Sequence, residues 1–107
     1  MQERKFTESD WKLFRNRIVD WQEAYMDRLG KEYIELLSEE AVPSEKFWRL
    51  EKRIKEDRKR VGVRAEMSRS NLIYNIISLI TEDIISFEDV EEFSDELKET
   101  VRFFIER

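Results

Sequence analysis

Apolar side chains recur at spacings of three and four through the first third of the chain: Trp11, Phe14, Ile18, Trp21, Tyr25, Leu29, Tyr33, Leu36 and Leu37. Such a stripe is one face of an amphipathic helix. Thr7 stands just before it with Asp10 three residues on, a variant of the capping box, and Phe6 and Trp11 are placed as a hydrophobic staple. A heptad does not hold beyond Tyr25, whereas the eleven-residue spacing Phe14, Tyr25, Leu36 does. The pattern predicts one long, nearly straight helix from about residue 8 to about residue 38. Gly30 is its weak point, since an interior glycine costs about 1 kcal/mol against alanine and can instead end one helix before another begins. The apolar phase runs through Gly30, which favours the unbroken helix. At 1.5 Å per residue it measures roughly 45 Å, against roughly 35 Å for a compact domain of this size. The helix therefore bends at Gly30, or one end projects toward a partner.

The single proline lies in the turn from Ser38 to Ser44, and Ser44 is the expected cap of a second helix running to about Arg60. Phe47, Trp48, Leu50 and Ile54 give this helix an apolar face near its start. Its charged end, Lys55 to Arg60, is expected to stand in solvent before Val61-Gly62-Val63 breaks it. The least polar stretch, Asn71 to Ile80, predicts a central helix over about 65–82 that the other elements cover. Ser86 and Ser94 are both good N-caps, so a short helix near 87–92 and a last one near 95–106 are expected. The unbroken stripe Val90, Phe93, Leu97, Val101 and Phe104 keeps a single helix open. The expectation is an all-α fold of four to five helices in one domain, 1–107, the long first helix packed with the hydrophobic central one.

Composition agrees and narrows the chemistry. Two glycines and one proline leave little turn chemistry for a sheet protein, and 40% hydrophobic residues argue against disorder. The absence of cysteine and histidine removes thiol nucleophiles, disulfides, and the commonest metal ligand and general base. No catalytic residue, metal site or cofactor is assigned. The charged start resembles no signal peptide and no segment reaches the ~20 apolar residues of a membrane span, so a cytoplasmic protein is expected.

The net charge of -5 conceals three blocks: -3 over 1–44, +5 over 45–69 and -7 over 70–107. Within the middle block Lys52, Arg53, Lys55, Arg58, Lys59, Arg60 and Arg64 form a candidate surface for nucleic acid or another anionic partner. Against it, Glu45 with Arg49, Glu51 with Lys55, and Glu56 with Arg60 are acid-before-base pairs that support an exposed helix by themselves. Trp11, Phe14, Trp21, Tyr25, Tyr33, Phe47 and Trp48 lie at helical spacing and read mostly as core, while Trp11, Trp21, Tyr25 and Tyr33 of the long helix are candidate interface residues wherever they are exposed, because Trp and Tyr are enriched at interfaces. Asn71, Asn75 and Ser78 draw a narrow polar line on the central helix. Its simplest reading is the water-facing edge of a heavily packed helix, and a helix interface or a polar ligand would make it more.

The blocks Phe47-Trp48-Arg49-Leu50-Glu51-Lys52-Arg53-Ile54, Met67-Ser68-Arg69-Ser70-Asn71 and Phe93-Ser94-Asp95-Glu96-Leu97-Lys98 resemble a family of short uncharacterised bacterial proteins over most of the chain. That resemblance implies no activity, site or cofactor. Arg15, Arg17, Ile18 and Asp20 resemble the opening of the small all-helical chorismate mutases over those few residues, and no site is carried from it. The functional expectation is a small protein-interaction or regulatory module, not an enzyme, that forms a homodimer through exposed aromatics of its first helix. The alternative is a nucleic-acid-associated regulator using 46–69.

Overall fold

The computed structural model describes residues 5–106, and among them the elements are helices and turns without a strand. Helix α1 spans Glu8–Ser38 without interruption at Gly30. Its start is the predicted capping box: Thr7 Oγ1 accepts from the Asp10 N–H at 3.1 Å, and Asp10 returns the contact to the Thr7 N–H at 2.9 Å. Helix α2, Pro43–Asp57, begins two residues earlier than expected. Pro43 occupies the first turn, where its missing N–H is no loss, and Val42 stands in the cap position that the sequence assigned to Ser44. The helix also ends three residues short of Arg60, because Val61 and Gly62 turn into the core instead of leaving the charged end free.

The central helix is shorter than expected. Residues 64–68 form an irregular connection, a 3-10 turn covers Arg69–Asn71, and α3 proper is Leu72–Thr81. It ends in a left-handed cap in which Asp83 has φ 62°, with the Ile84 N–H on Leu79 O at 2.8 Å and the Asp83 N–H on Ile80 O at 3.0 Å. A second 3-10 turn, Phe87–Val90, precedes α4, Asp95–Ile105, so the C-terminal stripe is divided as the two serine caps predict.

Phe14, Ile18, Leu72, Ile76, Leu79, Val90, Phe93, Leu97 and Val101 are buried together, drawing the first half of α1, α3 and α4 into one core. Asp10 bolts that core at its edge: it is buried, and it accepts from the Ser94 N–H at 2.8 Å and the Ser94 hydroxyl at 2.5 Å. Burial alone would raise its carboxyl, but the hydrogen bonds from Ser94 and Thr7 outweigh this and hold it below the usual carboxylate value. One carboxylate thus joins the N-termini of α1 and α4.

The second half of α1 leaves this core and packs chiefly against α2, which returns antiparallel to it, with Arg28 also donating to Asp83 O at 2.9 Å. The molecule is accordingly elongated, 58 × 27 × 23 Å, with a radius of gyration of 16.8 Å against ~13 Å for a compact chain of this length. Of the two ways to accommodate a 31-residue helix, a bend or a projecting end, the protein uses the second.

Candidate functional site

The projecting α1–α2 hairpin has two unlike edges. One is closed by charge. Arg53 meets Glu32 across the helices and lies 3.0 Å from Asp57, while Tyr33 donates its hydroxyl to Asp57 at 2.6 Å. Toward the tip, Arg49 reaches Glu39 at 3.4 Å and Lys46 donates to Leu37 O at 3.0 Å. Asp57 is itself buried, and Arg60 links it onward to Glu82 at 3.0 Å. Burial pushes the Tyr33 phenol above its ordinary value, and the Asp57 carboxylate at its hydroxyl adds to this. The hydrogen bond that the Arg53 guanidinium donates to Glu32 likewise holds it above its own. These groups form a satisfied network that clamps α2 to α1.

The other edge is open and apolar. Met26, Gly30, Ile34 and Leu37 follow one side of α1 at helical spacing, and Phe47 and Ile54 follow the matching side of α2. Ile34 is 65% exposed, Phe47 61% and Leu37 45%. A cleft of about 270 Å³ opens between the helices here, lined by Met26, Leu29, Gly30, Ile54 and Val63 together with Arg58 and with Tyr33 and Asp57 of the charged network. A side chain at Gly30 would meet nothing within 4 Å, so the floor of this edge is open space. The same side of α1 continues toward the core through Val19, one heptad before Met26, and Arg15. There a second cleft of about 490 Å³ has Val19, Val63, Ala65 and Met67 in its walls and Arg15 and Arg64 at its rim.

The aromatics of α1 lie in the core, as their spacing suggests, and not at an exposed interface. Trp11 and Tyr25 are buried, Trp21 is half-buried and stacks on Phe93 at 6.4 Å, and Tyr33 is held by Asp57. They cannot present an exposed aromatic face, because the first half of α1 is enclosed by α3 and α4 and the second half turns Tyr33 toward α2. On the hairpin the exposed aromatics are Phe47 and Trp48, edge to face at 4.8 Å; Tyr74 on α3 and Phe103 and Phe104 on α4 are exposed as well. Sequence pattern had put Phe47 and Trp48 inside, on the rule that the apolar face of a helix is the buried one. In α2 the inward positions are Lys46, Leu50, Arg53 and Asp57. The available signal was Arg53 and Asp57 at i,i+4 in phase with Leu50, a charged pair on what becomes the inner face.

The basic block is divided rather than displayed. Arg53 and Arg60 serve the Asp57 network, Lys55 pairs with Glu51 at 3.5 Å, and Arg69 grips Glu8 at 2.5 Å while lying over the Trp11 ring. The expected Glu56–Arg60 pair does not form, since Arg60 turns to Glu82 and Asp57. Lys52 on α2 and Lys59 in the turn after it are exposed, Arg58 borders the apolar cleft and Arg64 borders the basal one.

The polar line is not a water-facing edge. Asn75 is 2% exposed and donates to Glu66 O at 3.0 Å, and Asn71 donates to Ser68 Oγ at 3.0 Å. Ser78 is half-buried. Asn75 and Asn71 fasten the irregular segment 64–68 against α3, and Asn75 satisfies the Glu66 carbonyl, which no helix satisfies there. Among the described residues no group of three or more His, Cys, Asp or Glu could hold a metal ion, and no helix is long and apolar enough to cross a membrane. No family model, curated protein or solved structure matches the chain.

Proposed function

We propose that this chain is a helical interaction module that works by binding, and that a second copy covers the open edge of the α1–α2 hairpin. The observation that carries the reading is the contrast between the two edges: a hairpin clamped by charge on one side holds an uncovered apolar strip on the other. Val19, Met26, Ile34, Leu37, Phe47 and Ile54 are 37% to 65% exposed, roughly 500 Å² of apolar surface, at the level where a monomer's largest patch is often functional. Two such strips joined would bury about 1,000 Å², the lower bound for a specific interface.

Gly30 adds support. An interior helical glycine lowers stability by about 1 kcal/mol, and nothing within the chain occupies the space above it. An approaching helix would. A cytoplasmic homodimer is the corresponding setting, with the interface moved from the aromatics of α1 to the open hairpin edge. The nucleic-acid reading has weaker support, since Arg53, Lys55, Arg60 and Arg69 already sit on carboxylates of the same chain.

Light scattering over a dilution series tests the proposal. The expected mass is about twice the 13.2 kDa of one chain, falling toward one chain on dilution. Phe47→Ser should shift that equilibrium strongly toward monomer while leaving the circular dichroism and melting of the fold nearly unchanged. A single-chain mass at high micromolar concentration sinks the proposal.

A further inference from the structure

Resting on that reading, we infer that the second copy lies antiparallel, with the tip of each hairpin seated in the basal cleft of the other. The argument is complementarity along a single strip. Arg15, Val19, Met26, Gly30 and Leu37 share one side of α1, and reversing the strip about a two-fold axis near residue 28 maps it onto itself. Val19 then faces Leu37 of the partner copy, and Met26 faces the open floor at Gly30. Met26 is a flexible, gap-filling side chain, and the space above Gly30 is where it would enter. Leu37 and Phe47 at the tip are apolar and exposed, and the basal cleft offers Val19 and Met67, 57% and 44% exposed, to receive them.

Charge orients the pair in the same sense. The rim of the basal cleft carries Arg15 and Arg64, neither of which has a carboxylate of the described residues within ion-pair distance, and at the tip Glu39, Glu40 and Glu45 outnumber Lys46 and Arg49. Antiparallel docking places each basic rim beside the other copy's acidic tip. Parallel docking would bring Arg15 and Arg64 of one copy onto Arg15 and Arg64 of the other, and would leave the acidic tips together. Like charges brought together in a partly desolvated contact disfavour that arrangement.

The absence of cysteine allows a direct test. Val19→Cys and Leu37→Cys would be made singly and together, and treated with a short bismaleimide. Within one chain these positions lie roughly 27 Å apart along the helix, so the reagent cannot bridge them internally. The double variant, and a mixture of the two single variants, should give a covalent dimer on a denaturing gel, whereas each single variant alone should stay a single chain. If light scattering shows a dimer and either single variant cross-links to itself, the antiparallel arrangement is overturned and self-association stands. A dimer in which no combination cross-links also overturns it. A protein that remains one chain throughout removes the self-association reading itself.

Discussion

The two halves of α1 are built on opposite rules. Its first half, with α3 and α4, keeps Phe14, Leu72, Ile76, Leu79 and Leu97 at 0% exposure and buries the polar side chains of Asp10 and Asn75 only with hydrogen-bond partners. Its second half, with α2, buries Asp57, turns Tyr33, Arg53 and Glu32 onto it, and leaves Ile34, Leu37, Phe47 and Trp48 outside. Apolar burial is non-directional and supplies most of the folding free energy, so the base is held by shape and area. A charge network supplies less net stability but fixes geometry. The hairpin is therefore held in position by contacts that leave its apolar area unused. A chain folding only for itself would be expected to bury that area.

The sharpest break in this comparison comes from the base. Phe14→Ala should cost about 3–5 kcal/mol and lower the denaturant midpoint of the whole protein, while the equivalent loss of an exposed hairpin apolar, as in Phe47→Ser, should leave it nearly unmoved. At the junction, Gly62→Ala should cost about 1–3 kcal/mol, because a methyl group there runs into the buried Tyr25 ring and Ile84 Cδ1 at 2.8 Å. Thermal melting by circular dichroism measures both.

Acid should act on the base through Asp10. Its native value is depressed below the ordinary 3.8, so its contribution is complete above that value and is lost as pH falls through the native one. An Asp10→Asn variant should flatten the acid limb of a stability profile taken below about pH 4. The smallest effect, and the one with the opposite sign, belongs to Gly30. Gly30→Ala meets no atom of its own chain and should stabilise the monomer by up to about 1 kcal/mol. If a partner helix uses that space, the same change should weaken the dimer, and light scattering beside melting separates the two outcomes.

Much of this was legible in the chain because it depends on neighbours a few residues apart. The capping box of Thr7 and Asp10, the phase that carries α1 through Gly30, and the serine caps at Ser86 and Ser94 are local, and each stands where the residues put it. Elements whose fate depends on distant partners were less legible. Ser44 is as good a cap as Ser94 in isolation, yet Pro43 took the first turn. Asn75 belongs to an apparent solvent edge until residues 64–68 are known to cross it. Phe47 and Trp48 looked buried because periodicity reports which residues share a face and not which face turns inward.

The sequence by itself determined an all-α chain, a first helix of 31 residues too long for a compact domain, and a chemistry without thiols or imidazoles. Backbone propensity, capping and periodicity act within a few residues, so these follow from reading along the chain. Only the tertiary structure decided that the far half of α1 projects, that α2 turns Arg53 and Asp57 inward against Glu32 and Tyr33, and that an apolar strip from Val19 to Phe47 is left uncovered. The physical reason lies in pairings across 21 to 24 residues of sequence. Neither partner of such a pairing carries a mark of the other until the helices meet.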